Sequence, residues 1–428
     1  MTAPPETLEQ PWSRLHPLTP LLRSGRFLLA SFAIVGQQGL RDASLRTLLA
    51  GLAGVVVVGL LVGWVSWRTT RYRLTATELQ VDSGLLQRRS RRVPLARLQS
   101  VDVVRPLAAR ALGVSELRLE VAGGGDTEAP LAYLGEDDAL RLRTLLLSGS
   151  AGTPAPAQDA EAVLVAVPTG ALVTSVLLGG PALASAAMLV GAAGVLLVDA
   201  SVFPAVLATG VPVLIGTGGF LVQRLLNEYG FTVAESADGL RLRHGLLDTR
   251  AQTIPYGKVQ TVRVSEPLLW RRRGWVRVEV DVAGYTSTRG EEQASTSALL
   301  PVAPRDFALA LVERVLGARL PAASAPVPRR ARWRAPLLVR RLRLGLDDRH
   351  LVTTSGVLTT TTHVVPLAKV QSLRVAPGPW QRRLDLASVH ADTAGRRLPG
   401  AVAEHRDTTE AAVLLDDLTR RARAARRR

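Results

Sequence analysis

Hydrophobic positions along this chain gather into two long blocks, and between and after them apolar and polar residues alternate in short runs. The densest block is Leu45 to Trp67, LRTLLAGLAGVVVVGLLVGWVSW, 23 residues with a single charge at Arg46. A membrane-crossing helix needs about 20 apolar residues, and Trp64 and Trp67 stand where interfacial indoles collect. Upstream, Leu18 to Gln38 supplies a shorter crossing if Arg23 and Arg26 extend their head groups to the near face. The second block runs from Thr169 to Val222 and is interrupted by Asp199 and Pro204 in LLVDASVFPAV. It reads as two helices, roughly 170–198 and 205–226, joined by a short turn. Its near-total lack of charge argues against a buried soluble hairpin.

The arginines orient these crossings. Arg23, Arg26, Arg68, Arg71, Arg73 and Arg224 flank the blocks on one side, while the turn of the second hairpin carries only Asp199. The positive-inside rule then places both termini and every long polar segment in the cytoplasm. Residues 1–17 are polar, with Glu6 and Glu9, and lack the apolar core of a secretory signal.

The polar segments contain a repeat. Gly84 to Val103 reads GLLQRRSRRVPLARLQSVDV, Gly245 to Val264 reads GLLDTRAQTIPYGKVQTVRV, and Gly356 to Val375 reads GVLTTTTHVVPLAKVQSLRV. Ten residues after each glycine comes Pro94, Pro255 or Pro366. A cation follows at Arg97, Lys258 or Lys369, and then Gln99, Gln260 or Gln371. A further glycine lies 39 residues after the first in every copy, at Gly123, Gly284 and Gly395. Gly113 and Gly274 share a third position, where the last copy has Asp385. The copies are offset by 161 and 111 residues, because only the first gap holds a membrane hairpin. Within each copy LQSVDVV, VQTVRV or VQSLRV alternates at period two, which predicts strands. Helical patterns with acidic starts close the copies at 135–147, 303–316 and 404–425.

Composition narrows the chemistry. The 428 residues carry a net charge of +17, with a pI of about 11.3, which favours an anionic neighbour such as nucleic acid or a phospholipid face. Yet 47% of residues are hydrophobic and the mean hydropathy is slightly positive, because basic and apolar residues are segregated. Cysteine is absent, which excludes disulfides, thiolate nucleophiles and cysteine-based metal sites. Richness in Ala, Arg, Leu and Val with few lysines points to a GC-rich bacterial genome.

The combination of Tyr-x-Leu/Phe-Thr, a glycine, Val/Ile-Pro-x-x-Arg/Lys-Leu/Val-Gln-Ser/Thr, then Leu-Gly and Val-x-x-x-Gly resembles the bacterial pleckstrin-homology (PH) family of membrane-flanked domains, DUF304. RLHPLTPLLR, Arg14 to Arg23, is similar to the Leu-His-Pro lead-in of its multi-copy, YdbT-like members. The resemblance implies an α+β fold in three PH-like copies, each a bent antiparallel sheet or partly open barrel closed by a C-terminal helix, combined with α-helical transmembrane hairpins. Copy three departs most, lacking the tyrosine of the Tyr72/Tyr229 position and the glycine at Asp385. The chain then divides into a cytoplasmic segment (1–17), hairpin one (18–67), PH-like domain one (68–150), a linker (151–168), hairpin two (169–226), PH-like domain two (227–318), a linker (319–336), and PH-like domain three with its basic tail (337–428).

The shared Gly, Pro, cation and Gln read first as structural, a strand–turn–strand corner used three times, and second as ligand contacts. Arg88, Arg89, Arg91 and Arg92 are private to copy one. The same places hold Thr249, Arg250, Gln252 and Thr253 in copy two, and Thr360, Thr361, His363 and Val364 in copy three. Lying just after a crossing, these arginines suit anionic headgroups or a solvated hairpin equally. EPLLWRRRGW (266–275) and PGPWQRRLD (377–385) mix tryptophan with arginine. Trp270, Arg271, Arg272 and Trp380 are therefore candidate membrane-surface contacts, with closure of a small core as the competing reading. No HExxH, paired-carboxylate, Gly-x-Ser-x-Gly or phosphate-loop pattern appears, so no catalytic, metal or cofactor residues are expected. With aromatics at 4% and no helix–turn–helix or RNA-binding signature, nucleic acid is not the expected partner. The expectation is a non-catalytic scaffold at the inner face of a bacterial plasma membrane, with the bilayer, anionic headgroups and a protein partner or second copy as its contacts. The alternatives are a subunit of an envelope transport or stress-defence system and an anionic-lipid-binding protein.

Overall fold

The structure, a computed structural model, describes residues 12–14, 17, 45–135, 137–146 and 162–427, apart from 76, 84–88, 96–97, 106–108, 111, 122–128, 139–140, 143–144, 237–238, 283–297 and 396–397. The expected first crossing, 18–38, lies outside these residues, as do Gly84, Arg88 and Arg97. The chain forms two compact units, residues 1–159 with 248–252, and residues 160–247 with 253–428.

In the first unit, helix α1 (Leu45–Thr69) leads into an antiparallel meander. Its strands are β2 (Arg71–Leu74), β3 (Glu78–Ser83) and β4 (Arg89–Pro94), with the short β1 (Ser13–Arg14) beside β2. Strands β5 (Leu98–Arg105), β6 (Val114–Val121) and β7 (Ala129–Gly135) make a second antiparallel set. The period-two alternation sends Leu79, Val103, Leu117 and Leu134 inward, where Leu142 and Leu146 from the helical residues after β7 close the core. Residues 249–251 lie antiparallel to β5 in this unit.

The second unit opens with β8 (Ala162–Ala166), which pairs with β9 (Thr232–Ser236) across a helical excursion. The expected helix over 170–198 is divided in two, α2 (Thr169–Leu177) and α3 (Gly180–Val198). Its Gly179-Gly180-Pro181 run is the reason, since proline lacks the N–H that a continuous helix would need there. The two halves differ in surroundings. Leu172, Ser175 and Val176 of α2 are buried, while no residue of α3 is. The Asp199 carboxylate accepts the Ser201 N–H at 2.9 Å and fixes the turn into α4 (Phe203–Glu228). Gly180–Val198 and Ala200–Glu228 are each long and apolar enough to cross a membrane, and their apolar stretches are unburied, with Leu197 and Val198 each 89% exposed.

PH-like copy two continues through β10 (Gly239–His244), β11 (Thr249–Pro255), β12 (Val259–Pro267), the short helix α5 (Leu268–Arg271), β13 (Trp275–Val282), β14 (Ala298–Pro304) and helix α6 (Arg305–Leu316). Copy three comprises β15 (Ala325–Pro326), β16 (Arg343–Leu346), β17 (His350–Ser355), β18 (Thr359–Pro366), β19 (Val370–Ala376), the short α7 (Pro379–Arg383), β20 (Leu386–Thr393), β21 (Ala401–Asp407) and α8 (Thr408–Arg427). The stretches expected to be linkers thus hold β8 and β15, each an added strand beside the first long strand of its copy. Buried Arg406 holds β15 in place by donating to the Ala325 and Pro326 carbonyls at 3.0 and 2.8 Å.

One sheet runs β14-β13-β12-β18-β17-β16-β15, and a separate three-stranded sheet runs β19-β20-β21. The second half of copy two and the first half of copy three therefore share one continuous sheet. Helix α8 buries Ala411, Leu414, Leu418 and Ala422 against the last sheet. The departure at Asp385 does not disturb copy three. Gly113 (φ 67°), Gly274 (φ 62°) and Asp385 (φ 50°) all occupy the left-handed region, where aspartate is among the better-tolerated side chains.

Candidate functional site

The repeat motif marks the corner between the two halves of each copy. Pro94, Pro255 and Pro366 are the last residues of β4, β11 and β18, and Gln99, Gln260 and Gln371 the second residues of β5, β12 and β19. Proline suits a strand end because it has no N–H to give a ladder. Gly245 (φ 107°) and Gly356 (φ 96°) take left-handed conformations ahead of the third strand. A Cβ at Gly356 would sit 2.0 Å from the Thr359 carbonyl oxygen. Lys258 donates its backbone N–H to Pro255 across the turn, and Lys369 ends the short 3-10 turn after Pro366.

The glutamines part company in burial. Gln260 is buried and donates to the Lys258 carbonyl at 3.3 Å, whereas Gln371 is exposed. The strands that carry them also differ in their neighbours. β18 lies antiparallel along β12, with Val262 opposite Val364 and Val264 opposite Thr362, and covers that edge.

Around this junction the second unit builds a ladder of charge. Glu228, buried at the end of α4, pairs with Arg224 at 3.3 Å and with Arg277 of β13 at 2.7 Å. Arg277 reaches Glu279 at 3.2 Å, and Glu279 receives Arg263 of β12 at 2.6 Å. His363 of β18 stands opposite Arg263 in the ladder. Burial, and then Arg263, push its imidazolium pKa down from 6.5 to about 4, against opposing pulls from Glu279 and the Pro399 carbonyl. Each of these charges has an opposite partner, as burial demands. The last apolar helix and copy two are thereby tied by one continuous ion-pair network, and the β12–β18 ladder joins copy three to it. Asp281 adds a clasp, its carboxylate accepting the Leu398 N–H at 3.0 Å.

Two candidate surface contacts are corrected by this geometry. Trp270 is 1% exposed, and its indole N–H donates to the Ser175 carbonyl at 3.1 Å, so it pins α2 to copy two rather than meeting a bilayer. Arg271 donates to Thr360 Oγ1 at 2.6 Å and to the Val357 carbonyl at 2.8 Å, which makes it part of the junction between copies two and three. Arg272 is exposed, and Trp380 is 64% exposed with the Arg383 guanidinium over its ring at 5.6 Å. Arg89 and Arg91 lie on β4, and the exposed Arg92 comes within 4.0 Å of Glu78. The junction residues Arg263, Glu279, Asp281 and His363 had no motif to announce them. The repeat held one signal, since offsets of 161 and 111 align Glu120, Asp281 and Asp392, an acid in every copy.

Comparison with known proteins agrees with the threefold geometry. The bacterial PH domain family matches residues 26–150, 172–319 and 307–422. The chain is 23% identical over 279 residues to the UPF0699 transmembrane protein YdbT of Bacillus subtilis, a match that takes in 57% of each chain. It thus spans little more than half the length of that relative. No solved structure matches it. Three family matches reaching from residue 26 to residue 422, falling on three copies of one strand–turn–strand corner, show that the chain belongs to the bacterial PH domain family.

Proposed function

We propose that this is a non-catalytic integral membrane protein whose three PH-like domains form an interaction scaffold on the inner face of a bacterial plasma membrane. The observation that carries the reading is the ion-pair network running from Glu228 at the end of α4 through Arg277 and Glu279 to Arg263 on β12, the strand on which β18 of copy three pairs. A helix with an unburied apolar surface is thereby coupled to two domains that present strand edges. The arginines at 68, 71, 73 and 224 orient those domains toward the cytoplasm. Cross-linking in native membranes should recover a reproducible protein partner or a homo-oligomer, and recovery of monomer alone would count against a scaffold. A periplasm-specific reporter fused after residue 428 should stay silent.

A second reading, contact with anionic headgroups, is favoured by the exposed Trp333 and Trp380, each with an arginine 5.6 Å from its ring. It predicts salt-sensitive binding of the purified protein, in detergent, to anionic but not neutral vesicles.

A further inference from the structure

In each unit a further stretch of chain lies along the strand that follows a Pro/Gln corner. Residues 249–251 lie on β5, and Thr359–Val364 lie on β12. The two ladders share one register, because the repeat offsets carry the pair Val103–Ala251 onto Val264–Thr362. In copy three, β19 pairs with β20 alone among the described residues. Burial records the difference. Thr261 and Val262 are buried on β12, whereas their counterparts Ser372 and Leu373 on β19 are exposed and half-buried. An unpaired edge is a template for another strand.

A second feature marks the same edge. In the junction of copies two and three, Asp281 accepts the Leu398 N–H, and Gly395 passes so close that a Cβ there would lie 2.3 Å from the carboxylate. Asp392 is the copy-three counterpart of Asp281. It is half-buried and held by its own copy, accepting from Ser372 at 3.0 Å and from Arg374 at 3.2 Å.

The other end of the repeat does not match this edge. Strand β4 is the copy-one counterpart of β11 and β18, and no strand lies on its outer side among the described residues. Where β18 buries Val364, β4 carries Arg92, and Arg91 stands at the position of His363. In the shared register a second copy of this chain would set Arg92 against Leu373 and Arg91 against Arg374. That is a buried cation beside a like-charged pair. Arginine on an edge strand is a device against such pairing.

We propose that the β19 edge and Asp392 dock a PH-like domain of a different polypeptide, whose third strand is rich in threonine and valine and adds antiparallel in the register of β12 and β18. The inference rests on the scaffold reading and names its surface and the kind of partner. The arginines of β4 close the opposite end and keep the chain from joining copies of itself head to tail.

The chain has no cysteine, so disulfide trapping tests the register directly. Leu373→Cys protein in its membranes is treated, under a copper–phenanthroline oxidant in air, with a peptide of residues 356–367 carrying cysteine in place of Val364. Disulfide should form at least tenfold faster than with Val413→Cys, an exposed control on α8. A second pair, Val375→Cys with a peptide cysteine in place of Thr362, should behave alike and guards against misfolding of the first variant. A peptide of residues 84–95 with cysteine in place of Arg92 should react at the control rate. Control-level rates for both pairs overturn the proposal. So do peptide-independent disulfide dimers of the Leu373→Cys/Arg92→Cys double variant, or of Leu373→Cys alone, since either makes a second copy the occupant. Capture of a partner by native-membrane cross-linking while both pairs stay at control rates would keep the scaffold reading and sink this one.

Discussion

Val262 and Val364 face each other across the β12–β18 ladder, and neither side chain is exposed to solvent. Copy one carries Arg92 at the position of Val364. Transplanting that arginine, Val364→Arg, should bury an unpaired cation and separate copies two and three at a cost on the order of 3 kcal/mol. Val364→Ala should cost about 2 kcal/mol and leave them joined. Limited proteolysis after residue 316 reads the difference, with the arginine variant cut much faster than the alanine variant. Equal cutting of both would mean that the ladder does not hold the copies together.

Removal of Arg277 takes one of two cationic partners from buried Glu228 and from Glu279, leaving Arg224 and Arg263 to compensate them. Arg277→Met should therefore lower stability by roughly 3 kcal/mol, and adding Glu228→Leu should restore part of it. Thermal melts of the detergent-solubilised protein should place the double variant above the single one. A double variant that melts below the single one would remove the pair from the network.

Much of this architecture could be read in the chain, and the part that could not has a physical reason. Hydropathy marks long apolar helices, so the apolar block at 180–228 is visible, while the Gly179-Gly180-Pro181 break inside the expected helix is a local backbone signal that hydropathy does not carry. The corner glycines and prolines fix backbone conformation, and backbone requirements recur with sequence spacing. Alternation at period two reports which face of a strand is buried, but says nothing about which strand lies along its edge. The pairing of β12 with β18 therefore could not be read, and Arg271, Glu279 and His363 could not be recognised as junction residues. Trp270 departs from its expected place for a related reason. A tryptophan among arginines looks interfacial until the α2 segment that covers it is known.

His363 makes the junction sensitive to acid. Its pKa is about 4 in the folded chain against 6.5 when unperturbed. Between those values the unfolded chain binds a proton that the folded chain refuses, so stability is complete above pH 6.5 and falls as pH drops toward 4. The loss amounts to something on the order of 3 kcal/mol below that window. His363→Gln, which copies the buried Gln252 of copy two, should flatten the decline of melting temperature between pH 7 and about pH 4.5. An unchanged slope in the variant would assign the acid sensitivity to other groups.

Gly274 stands at φ 62° with nothing within 4 Å of where a Cβ would lie, so any penalty for a side chain there is purely conformational. Alanine in the left-handed region costs roughly 1–2 kcal/mol, whereas a short polar side chain is better tolerated. Asp385 already fills the same position of copy three at φ 50°, with its carbonyl accepting the Thr408 N–H at 3.1 Å. The melting temperatures should therefore fall in the order wild type, Gly274→Asp, Gly274→Ala. Asp385→Ala should destabilise as well, by about 1 kcal/mol, because it loses the side chain that makes the turn tolerable. If Gly274→Ala melts with the wild type, the shared position is not a backbone requirement, and the recurrence of glycine there needs another cause.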